Sequence, residues 1–118
     1  MKTLPLVVSL AACQTAAIPV EAEAEAACQV TVRFGSYAMG IDSGAAKAVD
    51  ALLAGNADVT GVTRTAAGRE GEYVLCVQTR GKAAAGRLVE QIRPLLPARP
   101  RGPISVEGPG KRIDAPSR

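Results

Sequence analysis

Between Cys28 and Glu107 one apolar rhythm occurs twice, and no other feature of the chain narrows its fold so far. In Gln29-Val30-Thr31-Val32-Arg33-Phe34 the apolar residues Val30, Val32 and Phe34 share one side, the alternation of a strand with a single buried face. Asp42 or Ser43 can cap a helix in which Ala45, Val49, Leu52 and Leu53 fall at helical spacing, and Gly55-Asn56 stops it. Val59 to Thr65, rich in Val and Thr, reads as a second strand, with Gly61 breaking the parity as a bulge does. After a hairpin connection at 66–71, Tyr73, Leu75 and Val77 alternate through a third strand. Gly81 opens a second helix with Ala85, Leu88, Val89, Ile92 and Leu96 on one face, and Pro94 should bend its last turn. Ile104-Ser105-Val106, between Pro103 and Pro109, suits a short strand at a sheet edge. Residues 108–118 lack apolar periodicity and are expected to be a disordered tail.

Strand 28–34, helix 42–54 and strand 58–65 are thus echoed by strand 72–79, helix 82–96 and strand 104–107. This βαββαβ order resembles the ferredoxin-like fold, an α+β architecture. The resemblance implies two helices on one face of a four-stranded antiparallel sheet. It lies in element order over 28–107 and in no motif. Two right-handed crossovers of this kind bury both helices on the same side. The competing arrangement is a dimer, with βαβ units from different chains packed together. Because aromatics are 3% of the chain and Trp is absent, the core must be built from Ala, Val, Leu and Ile.

The first 27 residues have a different character. Met1-Lys2, an apolar run from Thr3 to Leu10 and the small residues Ala11-Ala12 before Cys13 have the layout of an export signal over 1–12, far too short to span a bilayer. Leu10-Ala11-Ala12-Cys13 resembles the lipobox of bacterial lipoproteins. That resemblance implies lipidation of the Cys13 sulfur, cleavage before it and three acyl chains (palmitate among them), more than stable anchoring needs. Gln14 rather than Asp then resembles the pattern sorted to the outer membrane, facing the periplasm. The alternative is an ordinary secretory signal cut after Ala17 or near Ala26, which gives a soluble periplasmic or secreted protein. Residues 13–27, with Glu21-Ala22-Glu23-Ala24-Glu25-Ala26, read as a lipid anchor and flexible tether. Fully extended, the tether reaches about 46–50 Å.

In an exported chain the remaining pair, Cys28 and Cys76, favours a disulfide. Strand parity argues against it. Cys28 falls on the side of Val30 and Val32, whereas Cys76 falls with Glu72 and Gln78 on the open side. A register with Arg33 opposite Glu72 places Cys28 opposite Val77, so a bridge needs an irregularity where the first strand begins. Both outcomes stay open at this level.

The chain has no His, the usual general base at neutral pH, and no C-x-x-C pair, so ordinary zinc, redox and nucleophile-base signatures are missing. The loop Gly35-Ser36-Tyr37-Ala38-Met39-Gly40 lacks the Lys-Ser/Thr ending of a P-loop and the cysteines of a metal-carrying loop. Asp42 and Asp50 read as cap and solvated face. No catalytic residue, metal ligand or cofactor is expected. Basic groups concentrate in 80–118, with nine against three acidic, while 1–79 holds five against eight. With so few aromatics to stack on bases this is not a nucleic-acid surface, and solvated helix and tail account for it. The reading that follows is a non-enzymatic envelope lipoprotein that binds or scaffolds a partner, an envelope protein or a small ligand. Its docking face would be the open sheet side with Gln29, Thr31, Arg33, Glu72 and Gln78. A ligand sensor or regulatory subunit of a membrane complex is the alternative.

Overall fold

The computed structural model describes residues 28–117; the expected signal over 1–12, Cys13 and the expected tether lie outside the described residues, as does Arg118. In chain order the elements are β1 (Val30–Phe34), α1 (Ser43–Ala54), β2 (Val59–Ala66), β3 (Tyr73–Thr79), α2 (Lys82–Ile92), a 3-10 turn (Arg93–Leu95), β4 (Ile104–Gly108) and β5 (Lys111–Ala115). The fold is α+β: among the described residues five strands form one antiparallel sheet in the order β2-β3-β1-β4-β5, and two helices accompany it.

One-sidedness follows from the sequence pattern. Val30, Val32 and Phe34 lie opposite Val77, Leu75 and Tyr73, while Val32 and Phe34 also lie opposite Val106 and Ile104. All of these are buried, and they form one core with Ala45, Val49 and Leu53 of α1 and Ala85, Leu88, Val89 and Ile92 of α2. Asp42 caps α1, its Oδ1 accepting from the Ala45 N–H at 3.0 Å. Gly81 precedes α2 at φ +146°, a conformation open to glycine. Pro94 has no N–H for the helical ladder, and α2 ends in the tighter 3-10 turn at Arg93–Leu95. The expected irregularity at Gly61 is present as a register shift between Val59 and Gly61.

Three expectations need correction. The sheet has five strands, not four, and β4, expected at a sheet edge, is an inner strand between β1 and β5. Residues 108–118, expected to be disordered, instead supply β5, which turns back at Gly110 (φ +68°) and pairs with β4 from Ile104↔Ala115 to Gly108↔Lys111. Only Ile113 and Ala115 face the core in that strand, too few for a periodic signal, and its other side chains are held by charge. Thirdly, Arg33 lies opposite Val74 rather than Glu72, and Thr31 opposite Cys76. The difference of two residues preserves every side chain's face. The β1–β3 ladder ends at Phe34↔Tyr73, and Glu72 belongs to the β2–β3 turn, its carbonyl accepting from the Ala67 N–H.

Candidate functional site

The helix-free face of the sheet is assembled from the outward residues of each strand. In one row across β3, β1, β4 and β5 stand Val74, Arg33, Ser105 and Asp114; in the next stand Cys76, Thr31, Glu107 and Arg112. Between β1, β4 and β5 this face opens a cleft of about 430 Å³, with Arg33, Ser105, Asp114 and Arg112 along its floor and Tyr37 and Pro103 at its edge. A shallower hollow of about 370 Å³ adjoins Thr31, Glu107 and Cys28.

The charges on this face are unevenly matched. Arg112 serves both acids, its Nη1 lying 3.1 Å from Glu107 Oε2 and its Nε 3.1 Å from Asp114 Oδ1. Arg33 is exposed and makes no hydrogen bond or ion pair with any described residue. Ser105, beside it in the register, likewise gives its hydroxyl to no described group. The cleft therefore presents a cation and a hydroxyl with unused donors.

Tyr37 reaches the cleft because of a tightly tied loop. The Ser36 hydroxyl oxygen accepts from the N–H groups of Ala38 (2.8 Å) and Gly40 (3.0 Å), and its proton is donated to Glu70 Oε1 at 2.7 Å. Ala38 is held at φ +90°, a region an L-residue rarely occupies, with Gly40 at +95°. The result is a loop that leaves Tyr37 55% and Met39 90% exposed. Asp42 fastens it from the other side, since Oδ2 accepts from the Arg101 N–H at 2.9 Å. Backbone donors from Ala45 and Arg101, the first of them the stronger, hold the Asp42 carboxyl below the usual carboxylate range.

The disulfide Cys28–Cys76 is formed, with Cα atoms 5.1 Å apart. The irregularity that it requires is made by Gln29. Its backbone N–H donates to the Val77 carbonyl at 3.0 Å, but its side-chain Oε1 then accepts from the Thr79 N–H at 2.6 Å, where the next ladder carbonyl would otherwise stand. With the ladder ended there, Cys28 lies beside Cys76 rather than on the core side. The Thr79 hydroxyl is 3.0 Å from the same Gln29 oxygen and 2.8 Å from the Gly81 carbonyl, so the buried threonine is satisfied.

Of the five residues expected on the docking face, Thr31 and Arg33 sit in its centre. Gln78 lies over the side-chain-free bulge at Gly61, its Oε1 2.7 Å from where a Cβ there would be. Gln29 is occupied at Thr79, and Glu72 closes the β2–β3 turn, accepting from the Glu70 N–H at 2.8 Å. Ser105, Arg112, Asp114 and Tyr37 were not foreseen. The parity of β4 would have placed Ser105 outward, but Arg112 and Asp114 depend on a strand with no sequence signal. Among the described residues no three His, Cys, Asp or Glu side chains gather in a way that could hold a metal ion, and no helix is long and apolar enough to cross a membrane.

Comparison with protein-family models, with curated proteins and with solved structures finds no match to this chain.

Proposed function

We propose that the chain is a non-enzymatic cell-envelope lipoprotein, anchored through Cys13, whose small α+β domain holds an envelope partner with the open face of its sheet. The observation that carries the reading is the uncommitted Arg33 at the centre of that face, beside a cluster in which Arg112 already bonds both acids. The Cys28–Cys76 bridge supports an oxidising compartment, and Leu10-Ala11-Ala12-Cys13 supports lipid attachment at Cys13. We read the finer topology as ferredoxin-like: the four strands of the βαββαβ order lie as β2-β3-β1-β4, which supports the resemblance, and β5 extends them by one hairpin. Orientation toward the periplasm from the outer membrane belongs to the same proposal and rests on Gln14.

Two measurements test it together. Mass spectrometry of the membrane fraction should find a mature chain beginning at an acylated Cys13, and C13A should remain unlipidated. An unmodified chain beginning downstream of Cys13 refutes the anchor. Co-purification from solubilised membranes should retain a stoichiometric protein with the wild type and lose it with R33E. Recovery of a small molecule in place of a protein favours the second reading, a ligand-sensing or regulatory subunit, for which the cleft is of suitable size.

A further inference from the structure

We infer that the cleft between β1, β4 and β5 is a binding site for a monoanionic carboxylate borne on an apolar group, with Arg33 holding the carboxylate. This rests on the open face being the binding face and adds the class of ligand that it takes.

The argument begins with what the cleft leaves unsatisfied. Its volume, about 430 Å³, lies within the range of small-ligand sites. Four side-chain donors border it without any partner among the described residues: the Arg33 guanidinium and the hydroxyls of Ser105, Tyr37 and Ser117. Arg33 and Ser105 are direct neighbours across β1 and β4, so both can address a single group. A guanidinium is a planar fork whose parallel N–H donors match the two oxygens of a carboxylate, and the adjacent hydroxyl can supply a third bond.

Charge then restricts the ligand. Glu107 and Asp114 share the single cation Arg112, which leaves that cluster one negative charge in excess. Arg33 balances that excess across the face as a whole. A ligand with one negative charge pairs with Arg33 locally, whereas a dianion such as a phosphate monoester meets the surplus carboxylate as well. The remainder of the wall fixes the other half of the ligand. Pro103 and Pro116 offer carbon surface, and the Tyr37 ring stands at the rim, held outward by the Ser36 bonds described above. A carboxylate on an aromatic or branched aliphatic body satisfies both halves.

The test uses the full chain with its disulfide intact, followed by ¹H–¹⁵N correlation spectra during titration with three probes: N-acetylphenylalanine, its uncharged amide, and phenyl phosphate. The acid should produce saturable shifts at the Arg33 Nε–H and at the Ser105 and Tyr37 amides. The amide and the phosphate should bind at least tenfold more weakly. Arg33→Gln should weaken binding of the acid at least tenfold while the dispersed spectrum shows an intact fold, and Arg33→Lys should retain an intermediate affinity. The inference is overturned by equal affinity for acid and amide, by undiminished binding to Arg33→Gln, or by the absence of saturable shifts with the acid. Neither lipid nor partner protein enters this experiment, so its failure is separate from failure of the anchor or of co-purification.

Discussion

At the scale of single residues, the loop end of the sheet depends on places where no side chain fits. A Cβ on Gly102 would collide with the Gly35 carbonyl oxygen and stand 3.2 Å from that of Gly40. Both obstacles are backbone, and neither can swing aside. Gly102→Ala should therefore destabilise by about 1–3 kcal/mol, the range for forcing atoms into filled space, and should disturb the Tyr37 rim, read as a lowered denaturation midpoint and altered Tyr37 resonances. Glu90 is a contrasting case, exposed but flanked by cations. Its hydrogen bonds to Arg93, then to Lys111, hold its carboxyl down from 4.5 to about 2. A carboxylate depressed in the fold contributes stability above its ordinary value and loses it as pH falls through the folded one. Thermal midpoints should thus decline between about pH 4.5 and 2 in part through Glu90. Glu90→Gln should flatten that segment, modestly because solvent and salt screen the site. An unchanged acid slope in the variant would refute the assignment.

At the scale of elements, the bridge and the last strand are two ways of finishing a sheet whose ends the apolar pattern does not specify. Cys28 and Cys76 close a loop with a sequence separation of 48, and constraint of the unfolded chain by such a loop is worth about 4 kcal/mol. Replacing both with Ser should reduce unfolding stability by about 2–5 kcal/mol in urea titration, whereas a loss below 1 kcal/mol would mean that Gln29 alone secures the start of β1. Most elements that sequence reasoning finds have one buried face, β1, β3, both helices and β4 each repeating apolar residues at their own period; β2, largely exposed, is legible instead from its Val and Thr content. β5 escapes because Lys111, Arg112 and Asp114 are anchored by Glu90, Glu107 and one another, interactions that pair residues across separate elements and leave no local period. The cleft shares that fate. Thr31 and Arg33 are legible as the polar half of an alternating strand, but the side of the cleft that Arg112 and Asp114 form exists only once β5 is in place. Gln29 is a different kind of omission, since parity assigns it to a face and only the end of the ladder shows that its side chain substitutes for a carbonyl.

At the scale of the whole molecule, every large fully buried side chain among the described residues lies on one side of a single sheet, and the opposite side, Val74 and the bridge apart, is polar. A core of this kind is thin. Phe34, 1% exposed and tilted against Tyr73 at a ring-centroid distance of 5.1 Å, is the largest of the fully buried side chains. A domain of about 90 residues has roughly 5–13 kcal/mol of stability in all. Truncating a buried Phe to Ala removes about 3–5 kcal/mol, and opening the bridge removes about 4 kcal/mol. Either loss alone leaves a folded domain; the two together approach the whole. Phe34→Ala should accordingly stay folded while oxidised, with a thermal midpoint lowered by roughly 12–40 °C, and should lose its chemical-shift dispersion once a reductant is added. The wild type under the same reductant should remain folded. If reduced Phe34→Ala keeps its dispersed spectrum, the core on the helix side is sufficient by itself, and the bridge serves to fix where the chain leaves the open face rather than to hold the domain together.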